Sequence, residues 1–196
     1  MNRFEASYWE DRYINSQTGW DVGYPTTPFV EYTKSLDDKN IQILIPGCGH
    51  AYEGEYLFNQ GFHDITLLDY SEEAKLAFLE RVPNFPPERF LVGDFFELKG
   101  TYDLILEQTF FCALEPSLRS NYARKMHDLL NSNGSLVGVL FSFPLSEKGP
   151  PFGGSTEEYK GYFDSFFEIQ KLEACTNSIP PRMGNELFIN LQKTEG

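Results

Sequence analysis

The run Ile41-Gln42-Ile43-Leu44-Ile45, followed by Pro46-Gly47-Cys48-Gly49-His50, constrains this chain more than any other segment. Its β-branched residues read as a buried strand. The proline and two glycines then end it in a tight loop. A second apolar run, Ile65-Thr66-Leu67-Leu68, closes on Asp69, 20 residues after Gly49. A strand, a glycine loop and a carboxylate at the tip of the next strand are the parts of a nucleoside-binding corner on a doubly wound α/β sheet. The glycines let the backbone approach a ligand, and the carboxylate can take both ribose hydroxyls. Ala51 and Tyr52 stand where a dinucleotide fingerprint would carry its third glycine. A pyrophosphate needs that close approach more than an uncharged linkage does. The pattern therefore favours S-adenosyl-L-methionine (SAM) over a nicotinamide dinucleotide.

The rest of the chain alternates between strand and helix patterns, which implies a mostly parallel sheet. Strands are expected at Ile41–Ile45, Ile65–Leu68, Phe90–Val92, Tyr102–Leu106, Ser135–Phe141, Phe163–Ala174 and Glu186–Leu191. Helices are expected at Glu53–Gln60, from a Ser71 cap toward Arg81, and at Ser117–Leu130, where Asn133-Gly134 ends the pattern. The expected fold is a three-layer α/β/α domain spanning 1–196, with a doubly wound sheet of seven strands. Residues 1–36 stand apart. They hold Tyr8, Trp9, Tyr13, Trp20, Tyr24, Phe29 and Tyr32 among glycines and prolines, and they read as an aromatic cover over the sheet's active edge. Short helices are expected at 4–14 and from Thr26 or Thr27 to about Leu36.

Composition narrows the ligand class. The net charge of −13, from 16 basic and 29 acidic residues, disfavours nucleic acid and anionic membrane surfaces. No apolar run reaches the roughly 20 residues of a membrane span, and the first ten residues lack a signal-peptide core. Cys48, Cys112 and Cys175 form no disulfide framework and fit a reducing cytoplasm. His50, His63 and His127 lack metal-ligand spacing. A cytoplasmic monomer acting on a small molecule is the expectation.

Ligands of such sheets sit beyond the carboxyl ends of the strands, and the candidate residues cluster there. Asp69 is the ribose ligand. Tyr70 and Phe95 can flank an adenine, and Asp94 can accept its amino group. Glu107, at the end of the fourth strand, can meet the methionine ammonium. Trp9 and Trp20 offer ring faces to a sulfonium. Arg119 can orient an anionic substrate. Phe29, with Phe110 and Phe111, supplies an apolar wall. Cys112 has no histidine base placed by sequence, so covalent catalysis is not expected.

Together these residues form an ordered signature: Tyr8-Trp9-Glu10, Thr18-Gly19-Trp20-Asp21-Val22-Gly23, Ile45-Pro46-Gly47-Cys48-Gly49, Leu68-Asp69-Tyr70-Ser71, Gly93-Asp94-Phe95-Phe96, Phe110-Phe111-Cys112-Ala113-Leu114 and Gly149-Pro150-Pro151-Phe152. It resembles the thiopurine S-methyltransferase family of class I SAM-dependent methyltransferases, close to the branch with thiol and halide methyltransferases. The resemblance implies tryptophan walls at Trp9 and Trp20, a glycine loop at Gly47 beneath the methionine portion, and Phe152 in a substrate-side lid. It also implies an arginine near the substrate pocket at Arg119. Gln108 departs from a tyrosine found in some plant-like members. The reaction implied is methyl transfer to a small soft nucleophile, foremost a thiol, yielding S-adenosyl-L-homocysteine. A halide or metalloid acceptor and a non-catalytic SAM-binding protein are the alternatives. A nicotinamide-dependent oxidoreductase would need the missing third glycine and a hydride-site pair.

Overall fold

The computed structural model describes residues 4–145 and 147–194. The first three residues of the cover segment lie outside the described residues. Helices α1 (Ala6–Ile14) and α2 (Thr27–Thr33) precede strand β1 (Ile43–Pro46). There follow α3 (Tyr52–Asn59), β2 (Ile65–Asp69), α4 (Glu72–Arg81), β3 (Phe90–Val92), β4 (Tyr102–Gln108), α5 (Arg119–Asp128), β5 (Leu130–Phe141), α6 (Thr156–Phe163), β6 (Phe167–Ala174) and β7 (Glu186–Lys193).

The strands form one seven-stranded sheet in the order β3-β2-β1-β4-β5-β7-β6. All neighbouring pairs are parallel except those of β7, which runs antiparallel to both β5 and β6. Side-chain alternation along each strand explains the three layers. Ile43, Ile45, Leu67, Leu104, Leu106 and Val137 face one side and pack with Phe29, Leu57 and Phe78 from α2, α3 and α4. Leu44, Leu68, Ile105, Leu136 and Ile189 face the other side. They pack with Tyr122, Met126, Tyr159 and Phe163 from α5 and α6. The chain changes sides where it leaves β3 and pairs β4 with β1, so the topological switch lies between β1 and β4.

Two expectations are corrected. Thr156–Phe163 is a helix, where the aromatic residue Phe163 had suggested the start of a strand. Ser155 accepts a bond from the Glu158 amide at 3.2 Å and starts the helix. Asn133-Gly134 does not terminate a helix. Asp128 is the last residue of α5, and β5 already begins at Leu130. The register shifts between Tyr102↔Leu130 and Leu104↔Ser135, and Asn133 takes φ +63° there. That short insertion is a bulge rather than a turn. No helix of the described residues is long and apolar enough to cross a membrane.

Candidate functional site

A cavity of about 400 Å³ opens at the carboxyl ends of the central strands. Its floor is the loop after β1. Gly47 and Gly49 both take left-handed φ, +58° and +54°. At Gly47 a side chain would also collide with the Phe110 ring. At Gly49 an added Cβ would lie 2.8 Å from the Tyr13 hydroxyl. Both steric and conformational reasons thus require glycine.

Asp69 ends β2 and holds this loop. Its Oδ2 accepts the Gly49 amide at 2.8 Å and its Oδ1 accepts the Ser71 amide at 3.1 Å. Burial pushes its carboxyl above the ordinary range, and the amides of Gly49, Ser71 and Tyr70 pull it back. Each oxygen keeps a lone pair, and the residue lines the cavity. Asp94 lines it too, with Oδ1 accepting the Phe96 amide at 2.8 Å. Tyr70 faces Asp94, and burial followed by that carboxylate raises its phenol. Phe95 completes this side.

The cover segment supplies the opposite wall. Phe4, Tyr8, Trp9, Trp20 and Tyr13 form a chain of edge-to-face rings, with centroids 5.0, 5.1, 5.4 and 5.8 Å apart in that order. No residue of α1 is fully buried, because its aromatic face is turned to the cavity rather than to the core. The segment is clasped to the floor by His50, whose Nδ1 meets Asp21 Oδ2, and Arg81 in turn donates to the His50 carbonyl.

Seven of the residues assigned to the cofactor from sequence line this cavity, Trp9, Trp20, Gly47, Asp69, Tyr70, Asp94 and Phe95, and so does Phe110 of the expected apolar wall. Gly49 lines a smaller compartment of about 50 Å³ behind the loop, together with Asp21, His50, Glu53 and Gln108. Five residues are placed elsewhere, among them Phe111, which is buried in the core against Tyr122 and Tyr159. Arg119 is fully buried, donates to Glu158 at 2.7 Å and to the Gly153 carbonyl at 2.8 Å, and lies 4.6 Å from the Phe111 centroid. It braces α5 against α6 and the 149–154 loop. Phe29 is buried beneath α2 in the core. Phe152 packs behind the cavity against Phe4, at 6.0 Å. Glu107 is fully buried beneath the turn after β4.

Among the other cavity residues, Tyr13 enters the sequence reading only as part of the aromatic cover, and Arg12 and Arg182 do not enter it. Tyr13 is four residues after Trp9, so one helical face carries both; that spacing was a usable signal. Burial, then Asp69 and Cys48, raise its phenol far above the ordinary value. Arg12 lines the cavity with its guanidinium 4.5 Å from the Tyr8 centroid and its Nε buried without a hydrogen bond. Arg182 lines both compartments. Its Nη2 donates to the Trp20 carbonyl at 2.9 Å, while Nη1 lies 3.7 Å from Glu186 and makes no hydrogen bond. Its position follows from β7 running antiparallel, which brings the turn before Glu186 beside Phe141 at the carboxyl end of β5. The thiol of Cys112 is pushed up by burial and then by Glu107, which makes it a poor nucleophile.

A glycine loop, a buried carboxylate at the end of β2 and an acidic-aromatic pair after β3 suit a nucleoside carrying a cationic centre, and the fold and site define a class I SAM-dependent methyltransferase. The match of residues 4–191 to the thiopurine S-methyltransferase (TPMT) family model identifies the chain as a member of that family, with SAM as its cofactor. The chain is 31% identical to the probable thiol methyltransferase 2 of Arabidopsis thaliana, covering 95% of this chain and 84% of that protein. It is 28% identical to thiocyanate methyltransferase 1 of Brassica oleracea, covering 93% and 83%. Among solved structures, the 1,6-didemethyltoxoflavin-N1-methyltransferase of Burkholderia thailandensis, bound to its ligand and S-adenosylhomocysteine, shares the fold. Its TM-score is 0.75 at 18% identity, covering 97% of this chain and 87% of that one.

Proposed function

We propose that the whole chain acts as one catalytic unit that methylates a small, partly aromatic thiol in its thiolate form. The observation that carries this reading is the wall of the cavity. Apolar rings of Phe4, Tyr8 and Phe96 share it with two guanidinium groups, Arg12 and Arg182, that keep nitrogens without hydrogen-bond partners. A soft anion with an apolar body meets low desolvation cost in such a site.

Bound SAM supplies a methyl group activated on a sulfonium. In this reading Asp69 receives the ribose hydroxyls, and Asp94 and Phe95 take the adenine. Trp9 and Trp20 present ring faces to the positive charge. Arg12 and Arg182 would hold the thiolate. SAM would supply the methyl group and the thiolate sulfur the electron pair for the new S–C bond, with S-adenosylhomocysteine leaving with the pair of the bond that breaks. The thiol proton leaves to solvent beforehand, since aromatic thiols ionise near neutral pH. Positioning and water exclusion then carry the rate.

The test is methyl transfer from SAM to an aromatic thiol and to the phenol of the same shape. Turnover of the thiol alone is expected. Equal turnover of both would remove the soft-anion reading. The kinship with a thiocyanate methyltransferase makes thiocyanate and iodide the informative additional acceptors.

A further inference from the structure

Glu107 is fully buried at the end of β4. Its Oε1 accepts two consecutive backbone amides, Phe110 and Phe111, each at 2.9 Å. Its Oε2 accepts the Tyr122 hydroxyl. On β5, a Cβ at Gly138 would run into the Glu107 main chain and Cβ, so glycine there clears the space in which Glu107 sits. Among the described residues it has no salt-bridge partner. A carboxylate so placed costs stability and reaches neither cavity.

Its contacts nonetheless lead into the site. The Phe110 amide that it holds carries the ring that fills the space beside Gly47 and packs 5.1 Å from Phe95. Thr109, Phe110, Cys112 and Ala113, all from this turn, line the cavity. One buried carboxylate therefore fixes the segment lying between the glycine loop and the Asp94–Phe95 side.

We propose that Glu107 is a positioning residue whose ionised form locks the Thr109–Ala113 turn in the geometry that binds cofactor, so that its protonation loosens the site. This rests on the assignment of the cavity to SAM. The physical step is the loss of charge assistance. A neutral carboxyl can still accept both amides on one oxygen, but such bonds are roughly half as strong. Its new proton must also be donated toward Tyr122, which then loses its acceptor. The titratable groups facing Glu107 are Tyr122 from α5, Cys112 from the turn and Tyr159 from α6. Burial raises all three, so they stay neutral around pH 7. Burial likewise pushes Glu107 up to about 7, against the pull of Tyr122 and the two amides. The switch thus falls in the neutral range.

The test is calorimetric affinity for S-adenosylhomocysteine from pH 5.5 to 8.5 in the intact protein, Glu107→Gln and Tyr122→Phe. Glutamine copies the neutral form: its carbonyl accepts the amides and its NH2 faces Tyr122. Glu107→Gln should hold the low-pH affinity of the wild type throughout, a loss on the order of tenfold at pH 8. Tyr122→Phe removes a bond that favours the charged form, so the midpoint should move upward. Any contribution from the ligand's own amino group is common to all three profiles. Hydrogen exchange at the Phe110 and Phe111 amides of the wild type needs no variant, and its protection should fall below the midpoint. Parallel profiles for wild type and Glu107→Gln, or amide protection that ignores pH, would overturn the positioning role alone. Absence of binding at every pH would overturn the cofactor assignment and this proposal with it.

Discussion

At the scale of single residues, two buried carboxylates divide the work. Asp69 lines the cavity and also ties Gly49 to Ser71. Replacing it with alanine should weaken SAM binding by roughly 1.5–3 kcal/mol, from lost charge-assisted bonds and unmet loop amides. Asp69→Asn, which keeps one acceptor, should lose less. Calorimetry with melting curves as the folding control checks both, and unchanged affinity in Asp69→Ala refutes the ribose role. Glu107 has a stability signature of its own. Its ordinary value is 4.5 and its folded value about 7, so the folded state binds the extra proton between them. Its contribution therefore makes stability fall as pH rises through that window. Glu107→Gln should flatten this part of the pH–stability curve, as followed by thermal melting; an unaltered slope would deny the raised pKa. Sequence signalled Asp69 through its strand-end position. It misread Arg119, because only the fold shows Glu158 and Gly153 closing around it, and it passed over Arg182, whose place depends on the direction of β7.

At the scale of elements, the strands were legible because apolar runs bounded by Gly, Pro or Asp have few other ways to be buried. Helix α6 was not, although Ser155 and Glu158 carry its start signal: Tyr159, Tyr162, Phe163, Phe166 and Phe167 favour strands locally, and only packing on β6 and α5 decides the matter. Ser155→Ala should cost about 1 kcal/mol without shifting SAM affinity, because α6 contributes nothing to the cavity wall. Denaturant titration and calorimetry together check this. The α1 segment behaves in the opposite way. It buries none of its residues fully, so its own stability is low and depends on what fills the cavity. SAM should slow amide exchange across residues 6–23, around Trp9 and Trp20. Equal protection with and without cofactor would leave the aromatic segment as a fixed wall rather than a cover.

At the scale of the whole molecule, charge sets two opposing fields. The chain carries −13 overall, while the cavity presents Arg12 and Arg182. The first acts over distances comparable to the Debye length, about 8 Å at physiological ionic strength, and salt screens it strongly. The second acts at contact, partly buried, and is screened far less. Bound SAM carries net positive charge, with its sulfonium and ammonium outweighing one carboxylate, so the long-range field should speed its arrival. An anionic thiol is repelled at a distance and held only once inside. Raising salt should therefore weaken SAM association but raise kcat/KM for an anionic thiol at saturating cofactor, with a neutral thiol nearly unaffected. Arg182→Gln should lower kcat/KM for the anionic thiol more than for the neutral one, yet leave the sign of its salt dependence intact, since the global field survives the substitution. The measurement is a series of initial rates at several ionic strengths for both acceptors in both proteins. A falling kcat/KM with salt for the anionic thiol would mean that the local guanidinium groups, not the net charge, govern approach.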